Sequence, residues 1–395
     1  MNLKISVTHS VVTSATNSVS SLRQTRPAAK RSIRIACFVT GLALLHVLAG
    51  STFAQEPAAT YAEFSAPGAG TGGGQGTVPV GINTSGQTTG YYYDSVVVGH
   101  GFERSASGTI TTYDVTGSGT GTGQGTFGLQ INTAGTIAGY YIDSDVVYHG
   151  YIRTPAGSIS TFNVAGGGTG IGQGTRCCGI NNAGTTSGYY LDKNSVSHGF
   201  VRTAAGKVTK YNVTGAGNGI DEGTRGGPIN TAGTVAGLYI DAPGVIHGFV
   251  RTAAGAITTF DATGAGTGSG QGTNPAAINT AGTIVGFYTD SAGISHPFQR
   301  TAAGVISTFS IAGTIACAAT GINTAGTIAG FCSTTKATLE GFSRTAAGVV
   351  TTFEAPGAGT KPGTGTETFG INNSGMIAGP YITSGDVYEG YVRTP

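Results

Sequence analysis

The sequence predicts an all-β protein, a seven-bladed β-propeller of four-stranded blades, and three observations predict it. First, an Ile-Asn-x-x-Gly anchor recurs at Ile82, Ile131, Ile180, Ile229, Ile278, Ile322 and Ile371, spaced by 49 residues except for one interval of 44. Second, each unit holds four short runs of β-branched and aromatic residues separated by turn residues, the pattern of a propeller blade. Third, the chain ends are complementary. The last copy stops at Arg393-Thr394-Pro395 after its third run, and Thr60-Tyr61-Ala62-Glu63-Phe64 stands upstream of the first anchor, where a fourth run belongs. An N-terminal strand that completes the last blade closes the ring and hides the edges that a linear array exposes. An open β-solenoid gives no reason for such ends.

The copy beginning at Ile131 shows each element in order. A first strand leads into Ile131-Asn132, and Asn132 to Gly135 makes a tight turn of the Asx type. The second strand is Thr136 to Asp143 and the third His149 to Arg153. Pro155-Ala156-Gly157 turns the third into a fourth strand, Ser158 to Asn163. A Gly-rich stretch of about ten residues then leads to the next copy.

Composition agrees with this reading. Of 395 residues 70 are Gly and 13 Pro, only 10% are charged and none is Trp, which excludes a coiled coil or helical bundle. The low charge also separates the chain from most disordered sequences, and 17 Tyr with 16 Phe suffice for a core. Residues 1–54 carry six basic and no acidic residues, then an apolar run from Ile35 to Gly50 and small residues up to Ala54. This is the layout of a secretory signal peptide cut after Ala54, the run being short for a membrane span. The expected organisation is a signal peptide over 1–54, a short linker over 55–59 and one propeller over 60–395. After cleavage no membrane span is expected. Residues 55–395 carry 14 basic and 18 acidic residues, net −4, with no basic cluster, so nucleic acid is not an expected partner.

The repeat resembles a known family, the extracellular HAF-type repeats, whose His-small-Phe tripeptide reads here His100-Gly101-Phe102, His198-Gly199-Phe200 and His247-Gly248-Phe249, with His149-Gly150-Tyr151 close. The likeness extends to the anchor of Gly81 to Gly86 and spans about residues 60–395. Copies five to seven depart from it, with His296-Pro297-Phe298, Glu340-Gly341-Phe342 and Glu389-Gly390-Tyr391. The resemblance implies secretion and a repeat fold, and no activity.

Every His after residue 54 occupies one repeat position, and an Asp stands six residues before it. The pairs are Asp94 with His100, Asp143 with His149, Asp192 with His198, Asp241 with His247, and Asp290 with His296. Where His gives way to Glu340 and Glu389, Asp gives way to Thr334 and Thr383. An acid–base dyad needs one asymmetric constellation, and copies in separate blades cannot converge on one metal, so the pairs read as structural hydrogen bonds, exchanged for Thr–Glu bonds in two blades. The sevenfold arginines Arg104, Arg153, Arg202, Arg251, Arg300, Arg344 and Arg393 read as satisfying turn carbonyls or stacking on the next blade's aromatic ring. No catalytic set, metal site or cofactor is expected.

Cysteine usage suits an exported protein. Cys317 and Cys332 take facing positions about the turn centred on Thr324-Ala325, which predicts a cross-strand disulfide. Cys177 and Cys178 are adjacent, and a strained vicinal disulfide and two thiols both remain open. Tight, near-invariant turns make one face of the ring smooth; the Gly-rich connections and the loops between second and third strands lie on the other. Departures from the repeat are assigned to those loops: Arg176, Cys177, Cys178, Lys193, Asn194, Asp221, Glu222, Arg225, Asn274, Pro275, Lys361 and Pro362. Of these, Arg176, Cys177, Cys178, Lys193, Asp221, Glu222 and Arg225 are the candidate ligand-binding residues. The expected function is a secreted binding or adhesion module, extracellular or periplasmic and monomeric, with a glycan or protein ligand. A polysaccharide lyase or hydrolase using Asp221, Glu222 and Arg176 is the second reading, a structural surface protein the third.

Overall fold

The computed structural model describes residues 59–395; the signal peptide of 1–54 and residues 55–58 of the linker lie outside the described residues. Within them are 29 β-strands, numbered β1 to β29 in chain order, and no helix. No helix is long and apolar enough to cross a membrane among the described residues.

One copy shows how sequence becomes structure. β6 (Gly125–Ile131), β7 (Ile137–Ile142), β8 (Tyr148–Arg153) and β9 (Ile159–Phe162) form an antiparallel meander. The Asn132 carboxamide makes the first turn: its Oδ1 accepts the Ala134 and Thr136 N–H groups at 3.1 and 2.9 Å. Gly135 completes that turn at φ +84°, a conformation that costs glycine nothing. A bulge between Gly128 and Gln130 bends the strand before the anchor.

The core is one aromatic row written out once per copy. Phe102, Tyr151, Phe200, Phe249, Phe298, Phe342 and Tyr391, the last residue of each tripeptide, are all fully buried. Each ring meets, near edge-on, an aromatic ring of the preceding copy's outer edge, as in Tyr113–Tyr151 (6.2 Å) and Phe162–Phe200 (6.0 Å). Such a contact contributes roughly 0.5–1.5 kcal/mol beyond the area buried. The repeated arginines cover the same seam. Arg153 lies 4.7 Å over the Tyr113 ring and Arg202 4.7 Å over Phe162, so the stacking partner belongs to the preceding copy and not to the next one.

Backbone stitches add to these contacts. Gly125 pairs in parallel with Gly99 of the copy before it, at φ +115°, where a Cβ would strike the Gly99 carbonyl. The same bridge joins Gly174 to Tyr148 and Gly223 to Ser197. Copy six, five residues short, opens with β22 (Thr314–Ile322) and β23 (Ile328–Thr334), which a Cys317–Cys332 disulfide joins at facing positions 4.0 Å apart at Cα. At the chain ends β1 (Thr60–Phe64) pairs antiparallel with β29 (Tyr388–Thr394), from Thr60 opposite Thr394 to Phe64 opposite Gly390.

Candidate functional site

The first strand of every copy ends at a common axis. Ile-Asn and the following residue of all seven copies line a cavity of about 220 Å³ there. Asn83 Nδ2 donates to the Asn132 carbonyl, and Asn132, Asn181, Asn230, Asn279 and Asn323 each donate to the next asparagine in turn. Asn372 donates back to Asn83, so seven bonds of 3.0–3.2 Å form a cycle. Each side chain thus caps its own turn with its oxygen and ties two copies with its nitrogen. The mouth is uncharged and nearly the same in every sector, the residue after each asparagine being Thr except at Asn182 and Asn373.

The opposite end of these strands differs between copies. Four residues before each anchor Ile stand Val78, Phe127, Arg176, Arg225, Asn274, Ala318 and Glu367. Here the structure corrects the sequence reading. Arg176, Cys177 and Cys178 lie within β10 (Gly174–Ile180), Arg225 within β14 (Gly223–Ile229), and Asn274-Pro275 within β18 (Gly272–Ile278); none of them is a loop residue. The flanking glycines and the bulge at Cys177/Gly179 break the alternation that marks a strand.

Arg176 is clamped between aromatic rings, 3.8 Å over Tyr148 and 5.7 Å from Tyr189, whose hydroxyl accepts from its Nη1 at 3.2 Å. Arg225 lies 5.6 Å over the same Tyr189 ring, with Nε donating to Ser197 Oγ at 3.2 Å and Nη2 to the Asp221 carbonyl at 2.8 Å. Cys177 and Cys178 are free thiols, so no vicinal disulfide forms. Cys177 is buried against Ala138 and Ile180. Burial pushes the Cys178 thiol up to about 12, against the pull of the Arg176 and Arg225 guanidiniums, which leaves it protonated at neutral pH.

Lys193, Asp221 and Glu222 do lie in loops, where their backbone or carboxylate groups do structural work. The Glu222 carboxylate accepts the Gly219 N–H at 2.6 Å, the role of Gln75, Gln124, Gln173 and Gln271 in other copies. Asp221 adopts φ +63° where other copies place glycine. The Lys193 carbonyl accepts from Gln173 Nε2 at 3.1 Å. Lys361 Nζ similarly donates to the Ser384 carbonyl at 2.7 Å.

The Asp–His positions are brought together. His149 Nε2 lies 2.9 Å from Asp143 Oδ2, with corresponding distances of 3.3 Å at His198 and His247, 2.9 Å at His296 and 3.5 Å at His100. Each ring also stacks on a tyrosine of the second strand, as Tyr141 does on His149 at 4.7 Å. The other Asp143 oxygen accepts the Asp145 and Val147 N–H groups. Burial alone would raise the Asp143 carboxyl, but the His149 bond and those two N–H groups together hold it below the usual range. The expected Thr–Glu exchange is not made: Thr383 Oγ1 accepts the Val387 N–H and Thr334 Oγ1 bonds Thr338 Oγ1, so Thr keeps the turn cap and lacks a second oxygen for a neighbour. That is why His and Asp leave together.

Glu367, which sequence reasoning passed over inside Gly-Thr-Glu-Thr-Phe-Gly, is 8% exposed. Burial raises its carboxyl from 4.5 to about 7. Aligning the copies on the anchor would have found it, in the same row as Arg176 and Arg225. Among the described residues no three His, Cys, Asp or Glu side chains group to hold one metal ion.

No protein-family model and no curated protein matches this chain. Solved structures do. A lectin from Burkholderia pseudomallei aligns with a TM-score of 0.51 at 11% identity, over 78% of this chain and 93% of the lectin. A prolyl endopeptidase aligns with a TM-score of 0.53 at 10% identity, over 77% of this chain but only 46% of the peptidase. The β-propeller domain of a Pyrococcus furiosus protease aligns at a TM-score of 0.44 and 7% identity. The first two likenesses establish the β-propeller fold and carry no activity to this chain.

Proposed function

We propose that this chain is an exported seven-bladed propeller of the HAF-type repeat class that acts as a binding module for a glycan or protein, with the loop-bearing face as its binding face. Closure by β1 is supported by its full register with β29 and by the Phe64 ring, which packs 2.7 Å from the ideal Cβ position of Gly390 much as Tyr113 packs on Gly101 at 2.6 Å. The Cys317–Cys332 disulfide suits an oxidising compartment, in keeping with the basic, then apolar, leader.

One observation carries the choice of face. Arg176, clamped by Tyr148 and Tyr189, is a charged side chain that the repeat does not require, since other copies fill that position with Val78, Phe127 or Ala318. The fold is satisfied without it, so its place on an innermost strand is explained by a ligand. The test is binding of the full chain to panels of oligosaccharides and peptides, repeated with R176Q and with T231S at the Asn mouth. Loss of binding in R176Q with retention in T231S supports the reading; equal binding by R176Q, or no binding in either panel, overturns it. Fractionation of cells expressing the full chain tests export.

A further inference from the structure

Fourteen basic residues follow residue 54, and seven of them are the repeated arginines. Of the other seven, Arg176, Lys193, Lys207, Lys210 and Arg225 fall within fifty residues of one another, in and beside copy three. The structure joins the segments that carry three of them. The turn carrying Lys193 is bonded to the connection on either side: its carbonyl accepts from Gln173, and Ser195 O accepts the Asp221 N–H at 3.0 Å. Arg225 reaches that second connection through Asp221 O, and Arg176 shares the Tyr189 ring with Arg225. Among the described residues no carboxylate lies within ion-pair distance of Arg225, whereas the repeated Arg153 pairs with Glu103 at 2.6 Å.

The same two connections hold the most exposed large aliphatic side chains of the described residues, Ile171 at 81% and Ile220 at 76%. Other copies place Gly73, Thr122, Ser269 or Pro362 at that position. Two aliphatic tips on the connections that the Lys193 turn joins, one connection being bonded to an Arg225 guanidinium held by neutral oxygens and a ring, make a surface that water solvates poorly and that an anion complements.

We propose that this part of the loop face docks an acidic, aliphatic peptide segment of a partner protein, its carboxylates meeting Arg176, Arg225 and Lys193 and its aliphatic side chains covering Ile171 and Ile220. The proposal rests on the loop face being the binding face. Sugar rings would use the guanidiniums but would leave two isoleucines uncovered, which is why a peptide is favoured over an acidic polysaccharide.

The experiment selects peptides from a displayed random twelve-residue library on the immobilised full chain, then measures them singly by fluorescence anisotropy. Enriched peptides should place Asp or Glu beside Leu, Ile or Val. Their affinity should fall at least tenfold in R225Q/K193Q and in I171S/I220S, and should weaken with added salt. Lys193, Ile171 and Ile220 are exposed loop residues and Arg225 is a partly exposed residue of β14, so circular dichroism checks the fold of both variants. Neutral or basic enriched peptides, or affinities unchanged in both variants, overturn the proposal. An oligogalacturonate run in parallel separates the two levels. If it binds, R225Q/K193Q weakens it and no peptide is enriched, the peptide is wrong and the binding face stands. If nothing binds, both fall.

Discussion

At the asparagine mouth every copy makes the same two side-chain hydrogen bonds, one to the next asparagine carbonyl and one from the N–H four residues on, whereas at the other end of the same strands one row reads Val78, Phe127, Arg176, Arg225, Asn274, Ala318 and Glu367. Two ends of one set of strands thus obey different constraints. The mouth is held by repetition, because each link depends on its neighbour having the same residue. The loop end is held by backbone stitches that demand only a glycine, such as Gly125 to Gly99 and Gly174 to Tyr148, and the side chains two residues on are free to differ. Specificity can collect only where the scaffold does not need the side chain.

The largest effect should come from breaking the mouth. Asn181→Ala removes two turn caps and the bond to Asn230 O, all buried or part-buried, and should cost about 4 kcal/mol, read as a lowered urea midpoint. An unchanged midpoint would mean that the cycle is ornamental. Next is copy six, which opens without a Gly-rich connection: removing the disulfide, Cys317→Ser with Cys332→Ser, opens a loop of 15 residues and should cost about 3 kcal/mol.

At the loop end the sign reverses. The Glu367 carboxyl is raised from 4.5 to about 7, so between those values the folded state holds a proton that the unfolded chain has released, and stability falls as pH rises through that window. Glu367→Gln removes this cost. It should stabilise the protein by about 3 kcal/mol above pH 7 and by almost nothing near pH 4.5. A gain that does not vary with pH would sink this account.

The smallest effect belongs to the pairs on the second and third strands. His149→Gln removes the Tyr141 stack and the bond to Asp143 Oδ2 at a partly exposed site and should cost about 1 kcal/mol, since the turn caps made by the other Asp143 oxygen survive. The Asp143 carboxyl is held below its ordinary range, so its contribution is complete above the unfolded value and is lost as pH falls through the folded one. Wild type should therefore lose stability more steeply than Asp143→Asn below about pH 4, in acid melts followed by circular dichroism.

The repeat made most of the fold legible. Anchors, turn asparagines and the facing of Cys317 with Cys332 all follow from counting residues along strands of fixed period. The site was harder to read. Arg176 and Arg225 were rightly picked as departures but placed in loops, because glycines and a bulge hide the start of each inner strand. Glu367 was missed because a buried acid inside a Gly/Thr stretch looks solvated until the copies are packed together. The cross-copy bond from each asparagine joins residues 49 positions apart, and no local pattern encodes it.

The direction of that hydrogen-bond cycle has an electrical consequence. All seven carboxamides donate in the same sense around the axis, each bond polarising the next. Dipoles laid head to tail around a circle cancel in sum, unlike those of a helix, which add along its axis. The cycle of carboxamides therefore adds almost no net dipole to the mouth. A charge near the axis would thus be steered by the side chains of the other end and not by these seven carboxamides.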